Sequence, residues 1–221
     1  MDWQAFRLSI ELAVVTLLVL LPAGVWLARW LSYSRAPGKP LIESLVVLPM
    51  VLPPTVLGYY LLVALGPPSP LGAWLIEVLD VQLTFSFTGL VLASLIFNIP
   101  FLVQPVQRAF DAIPQPLAEA AALSGLTAWQ TFWRVELPLV WPSILSAMVL
   151  TFVHTLGEFG VVLMMGGNIP GETRTIAIAI YDRVQAFDFA GANQMAWLLM
   201  AFSVGAVAAS FFAASRLVRR P

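Results

Sequence analysis

The 221-residue sequence contains no cysteine. That excludes disulfides, thiolate metal sites and cysteine nucleophiles together. It has one histidine, His154, too few for a polyhistidine metal site. It has one lysine, Lys39, and no glycine-rich loop of the P-loop kind surrounds it. The chain thus carries no equipment to hold ATP, and no resident cofactor or metal is expected. Charge is also scarce: 10% of residues are charged, against about 25% in an ordinary soluble domain. The 11 basic and 12 acidic residues nearly cancel, leaving no bulk charge to suit nucleic acid. No catalytic triad or paired-carboxylate acid/base site is visible.

What the chain has in quantity is apolar surface, 60% of its residues. A spanning helix needs roughly 20 mostly apolar residues to cross about 30 Å of hydrocarbon. Five stretches qualify: Leu8–Leu31, Leu41–Gly66, Thr84–Gln107, Pro138–Met165 and Asn193–Ser215. The first exceeds a signal h-region, includes Glu11 and is followed by no small-x-small cleavage site, so it is expected to be a retained span. A sixth span within 176–192 is disfavoured by Asp182, Arg183 and Asp188. No repeat, low-complexity tract or linker appears, so one all-α polytopic membrane domain over residues 1–221 is expected, with membrane lipid as its surroundings.

Cytoplasmic loops collect the Lys/Arg excess. With the N-terminus outside and the C-terminus inside, the inner face holds Arg29, Arg35, Lys39, Arg108, Arg134, Arg216, Arg219 and Arg220. The outer face then keeps Arg7, Arg174 and Arg183. Eight against three selects that orientation. Trp26, Trp30 and Trp141 fall near the inner interface, Trp3 and Trp197 near the outer one, and the 65–83 loop faces out. Pro49, Pro53 and Pro54 are expected to interrupt the second span, and Asn98-Ile99-Pro100 the third. Each proline removes a donor and frees a carbonyl that lipid cannot satisfy. Such segments serve either as kinked packing helices or as walls of a wet pathway, and both roles stay open.

The most informative stretch runs from Pro114 to Leu137. Pro114 and Pro116 suit a helix start, the alanine-rich run Ala118 to Ala122 favours helix and leaves a smooth face, and Gly125 suits a left-handed stop. Thr127 and Gln130 have capping-box spacing, opening a second short helix with Trp129, Phe132, Trp133 and Val135 on its apolar side. Leu137-Pro138 is expected to end it. The product is a helix–elbow–helix at the inner face of the membrane, a surface that tucks under its own bundle or docks a partner.

Glu119-Ala-Ala, three residues, Gly125, nine residues and Val135-Glu-Leu-Pro138 resemble the signature of the permeases of binding-protein-dependent ABC importers, with Val135 in place of the usual isoleucine. The resemblance implies a type I importer permease fold with about five transmembrane helices. It also implies that the elbow is a coupling helix, with Glu119, Ala120, Ala121, Gly125, Leu137 and Pro138 engaging an ABC ATPase subunit that uses ATP and magnesium. It further implies an extracytoplasmic binding protein, a permease homodimer and residence in the cytoplasmic (inner) membrane. Within the family, Leu48-Pro-Met-Val-Leu-Pro-Pro-Thr-Val-Leu-Gly58-Tyr and Leu156-Gly-Glu-Phe-Gly160 look like the sulfate and molybdate permeases, and Asn168-Ile-Pro-Gly-Glu-Thr-Arg-Thr-Ile176 like the molybdate ones. His154 departs from the pattern, standing where an arginine or similar residue is expected.

A pore that held a tetrahedral dianion tightly would not release it, and no Lys or Arg lies deep within a span. Thr55, Ser86, Asn98, Thr151 and Thr155 are candidates to line the path, against the plainer role of interhelical hydrogen bonding. His154 and Glu158, four apart on one helix, share a face. A carboxylate would repel the anion, so Glu158 is expected to be a structural or gate-closing group, with His154 as a candidate partner; direct substrate contact and an exposed interfacial carboxylate are the alternatives. Asn168, Thr173 and Arg174 are candidates for docking the binding protein, an ordinary loop role being the alternative. Rival readings are sulfate, thiosulfate or tungstate as cargo, or a secondary transporter or channel without an ATPase.

Overall fold

The computed structural model describes residues 1–218, apart from the side chains of Ala118, Glu119, Ala122 and 213–218. The described residues form eleven α-helices and one π-helical turn, with no strand among them. Four helical runs are long and apolar enough to cross a membrane, and a bent pair makes a fifth.

Helix α1 (Trp3–Tyr33) starts at Asp2, whose carboxyl accepts from the Ala5 N–H at 2.9 Å, satisfying one of the first turn's orphan donors. It packs along α5 (Phe87–Asp111) and α8 (Leu137–Leu156). Their shared core holds Ala28, Leu31, Leu102, Val103, Val106, Phe110, Val140 and Ile144. Close approach depends on Gly24, where a Cβ would stand 2.3 Å from a Leu102 methyl.

The second apolar stretch is broken as its prolines predict. Helix α2 (Lys39–Val51) and α3 (Pro54–Leu65) meet at 112°. Pro53 pushes Leu52 into an extended conformation (ψ 140°), and Pro54 opens the new helix. The third stretch is not interrupted: α5 runs through both Pro100 and Pro105. A helix-interior proline costs about 3 kcal/mol. Here the buried residues on either side, Phe97, Asn98, Leu102, Val103 and Val106, hold the helix together against that cost.

The fourth stretch departs from expectation twice. The short helix α7 (Ala128–Thr131) does not stop at Leu137-Pro138. It passes through a π-turn, Phe132–Glu136, directly into α8. The Leu137 N–H bonds the Phe132 carbonyl one residue further back than in an α-helix, a widened turn adjoining a proline that has no donor of its own. At the other end, α8 stops at Leu156. Gly157, Glu158 and Phe159 form a break before α9 (Gly160–Gly166). Glu158 is therefore off the helix that carries His154, and the two do not share a helical face.

Between α3 and α5 the chain forms a short apolar helix, α4 (Pro70–Leu79), capped by Ser69, where only a loop was expected. Helix α10 (Ile176–Gln185) is tied to α1 by the Ile176 N–H donating to Ser9 Oγ at 2.8 Å. At 10 residues it is too short to span. Helix α11 (Phe189–Val218) packs on α8 and α10. Helix α6 (Gln115–Leu123) packs on α7, and α7 on the π-turn. This elbow sits at the end of the bundle where α1 and α5 finish.

Candidate functional site

The two breaks in the bundle face one another. Pro54 and Thr55 at the start of α3 and Val153, His154, Gly157, Glu158, Phe159 and Gly160 around the α8–α9 break line a cavity of about 500 Å³, with Phe97 on its wall. The elements meet closely because glycines allow it. A Cβ on Gly160 would lie 2.9 Å from Pro54 Cβ and 3.2 Å from the Thr55 nitrogen, and one on Gly58 would lie 2.7 Å from Met164 Cβ. The start of α3, with its positive dipole end, forms part of the wall.

Behind the cavity lies a buried polar network. Asn98 presents Oδ1 to His154 Nδ1 at 3.0 Å, and its Nδ2 donates to the Ser94 carbonyl at 2.9 Å and to Glu158 Oε2 at 3.4 Å. Ser94 Oγ donates to the same carboxyl oxygen at 2.9 Å. His154 stacks on Phe101, ring centroids 3.8 Å apart. His154 and Glu158 are thus joined through Asn98 rather than to each other. Oε1 of Glu158 has no hydrogen-bond partner among the described residues. Such a network pins the α8–α9 break to α5, because leaving any of its members unpaired in a buried site is costly.

Of the sequence-selected path residues, Thr55, His154 and Glu158 line the cavity, and Asn98 stands behind it. Thr151 and Thr155 are buried within α8, and Thr155 Oγ1 donates back to the Thr151 carbonyl at 2.8 Å. Ser86 is a helix cap, accepting from the Gly89 N–H. Ser94 and Phe101 were not singled out in the sequence, since a serine or phenylalanine inside an apolar run gives no signal.

The elbow takes its shape from local chemistry. Gly125 has φ +72°, and the Leu126 N–H closes on the Ala121 carbonyl at 3.2 Å, the long bond of a Schellman stop. Thr127 and Gln130 form the reciprocal capping box. Ala121 is turned inward and buried, whereas Ala120 is exposed and Leu123 is 90% exposed. The outward surface therefore consists of Leu117, Ala120, Leu123, Trp129 and Trp133. The side chain of Glu119 lies outside the described residues. Leu137 packs against the bundle core and Pro138 is exposed.

An ion pair joins the elbow region to α1. Arg29 Nε donates to Glu136 Oε2 at 2.5 Å and Nη2 to Oε1 at 3.1 Å. The guanidinium also lies 5.3 Å from the Tyr33 ring and 5.5 Å from the Phe132 ring.

At the opposite end, residues 168–172 form an exposed loop ahead of α10. Thr173 is 0% exposed, and its hydroxyl accepts from the Ile169 N–H, so it shapes the loop and offers no surface. Arg174 donates to Asn168 Oδ1 at 2.6 Å and lies within 4.0 Å of Asp2 and 3.5 Å of Asp182. Its charge is engaged within the chain.

Residues 20–220 match the family model described as binding-protein-dependent transport system inner membrane component. The molybdenum transport system permease protein ModB of Azotobacter vinelandii is 47% identical over 203 residues, 91% of this chain and 89% of that protein. The sulfate transport system permease protein CysT of Escherichia coli is 34% identical over 181 residues, 82% of this chain and 65% of that protein. The crystal structure of a bacterial ABC transporter involved in alginate import has a TM-score of 0.80 at 18% identity, covering 96% of this chain and 78% of that chain; that likeness concerns the fold alone. With its broken spans and exposed elbow, the chain belongs to the binding-protein-dependent transport system inner membrane components.

Proposed function

We propose that this chain is the permease subunit of an ATP-driven importer of molybdate, working as a homodimer in the cytoplasmic membrane with its N-terminus outside. The observation that carries the reading is the elbow. Its apolar residues Leu117, Ala120, Leu123, Trp129 and Trp133 are exposed, the two tryptophans along a groove beside α1, at the end of the molecule that the Lys/Arg excess assigns to the cytoplasm. A separate ATPase subunit binds ATP and magnesium and seats this elbow through Ala120 and Gly125, with Glu119, Ala121, Leu137 and Pro138 completing the motif. The cavity between the broken spans is the gate, lined by Thr55, His154 and Glu158 and braced by Asn98. Its lining includes no lysine or arginine, which suits weak, releasable contact with an anion. Selectivity then rests with the extracytoplasmic binding protein, which docks on the exposed 168–172 loop, Asn168 included, held in shape by Thr173 and Arg174.

Molybdate is favoured as cargo by the 47% identity to a molybdenum permease. Sulfate is the second reading, favoured by the 34% identity to a sulfate permease. Uptake of labelled molybdate and sulfate into vesicles holding the permease, its ATPase and its binding protein separates them. The reading expects ATP-dependent uptake with molybdate preferred. Uptake without ATP refutes the importer, and a preference for sulfate refutes the cargo.

A further inference from the structure

We propose that Arg29 and Glu136 form the joint through which movement of the elbow reaches α1, so that this pair sets how much transport each ATP hydrolysis yields. The inference rests on the importer reading above and adds a positioning pair to it.

Three observations carry it. First, the elbow touches the bundle sparingly. Helix α6 packs on α7 and α7 on the π-turn, and among the described residues neither packs extensively along another span. Much of the boundary between α1 and the elbow is an open apolar groove of about 720 Å³, with Val25 and Trp26 on one wall and Trp129 and Trp133 on the other. Force applied to the elbow must therefore enter through the π-turn. Second, that turn holds Glu136, only 6% exposed, and its carboxyl takes both arms of an arginine 107 residues away. A two-point guanidinium–carboxylate fork fixes angle as well as distance, which a single-point contact or an apolar contact does not. Third, the guanidinium lies over Phe132 of the same π-turn and over Tyr33 of α1. The joint thus has a face contact on each side. A π-turn is a wide, less regular helical segment of a kind often found at functional sites, so the fork compensates at the point where the helix itself is least stiff.

A partly buried ion pair can also serve folding alone, and the two roles predict different behaviour. Replacing both partners by apolar residues of similar size commonly preserves stability, whereas removing one partner does not. The test is the double variant Arg29→Met/Glu136→Met, assembled with the ATPase and binding protein in vesicles, with ATP hydrolysis and labelled-molybdate uptake measured on the same preparation. The joint predicts retained hydrolysis with uptake per ATP reduced about tenfold, within the usual range of coupling between sites. In the assembled complex, an unchanged ratio of uptake to hydrolysis overturns it, whether or not both rates fall together. Should the double variant not assemble, Arg29→Lys decides: it keeps the charge but loses the fork, and a ratio equal to wild type overturns the joint. A wild-type complex lacking ATP-driven uptake would instead refute the importer reading, so the two failures are distinguishable.

Discussion

Asn98 Oδ1 lies 3.0 Å from His154 Nδ1, while the amide nitrogen of the same residue reaches Ser94 and Glu158. One side chain on an unbroken span therefore holds both the end of α8 and the break that follows it. The proposed gate rests on this asymmetry, with α5 as a fixed post and the α8–α9 break as the part it restrains.

Replacing Asn98 by leucine should remove that restraint. Ser94, His154 and Glu158 would lose partners in a buried site, at a cost of about 1–3 kcal/mol. Thermal unfolding in detergent should show a lowered Tm, with Ser94→Ala giving a smaller drop because Asn98 still reaches Glu158. Equal stability of Asn98→Leu and wild type would mean that the network contributes nothing.

Gly160→Val should disrupt the cavity. Even a single Cβ there would meet Pro54 Cβ at 2.9 Å and the Thr55 nitrogen at 3.2 Å, and backbone cannot yield as a side-chain tip can. Overpacking of this kind costs about 1–3 kcal/mol. Uptake should fall while assembly with the ATPase persists, because the elbow is at the far end of the molecule. Loss of ATPase binding in this variant would contradict the separation of gate and elbow.

The elbow was legible in the sequence because its signals are local. A proline start, a glycine stop and a cap three residues long each act within one helical turn, and the structure places Gly125 in the left-handed region and closes the Thr127–Gln130 box. The break after Leu52 was legible for the same reason. Pro100 was misjudged, because packing on both sides of α5 overrides a single missing hydrogen bond. The π-turn and the α8–α9 break had no comparable mark: Gly157 is one glycine in an apolar run. Least legible were the pairs brought together by folding. Arg29 and Glu136 are 107 residues apart and Ser94 and Glu158 are 64 apart, so neither pairing has a sequence period. Ala121 was taken as surface by motif position, yet the helix turns it inward and leaves Leu123 exposed.

Gly125→Val should act on shape alone. No atom lies within 4 Å of the position where a Cβ would stand, so crowding contributes nothing. The left-handed backbone costs a side chain about 1–2 kcal/mol. The variant should fold with a near-normal Tm and lose ATPase engagement, whereas Gly125→Asn, which tolerates that backbone region, should keep most of it. Pull-down of the ATPase by each variant measures this.

Arg174→Ala should be mild for stability. The residue is partly exposed, and its contacts with Asp2 and Asp182 are long; ion pairs of this kind contribute about 0–1 kcal/mol. Its effect should appear instead as weaker capture of the binding protein, through loss of the brace on Asn168. Unchanged affinity for the binding protein would remove the 168–172 loop from the docking surface.

The native chain has no cysteine, so a single introduced thiol reports without background. Leu123→Cys, at an elbow position 90% exposed, gives the most direct measurement in the assembled transporter. The account predicts that it reacts with impermeant thiol reagents from the cytoplasmic side only. It also predicts cross-linking to the ATPase subunit in high yield, with protection from reagent once the ATPase is bound. Labelling from the opposite side of the membrane, or a thiol that stays reactive and uncross-linked in the complete complex, would contradict it.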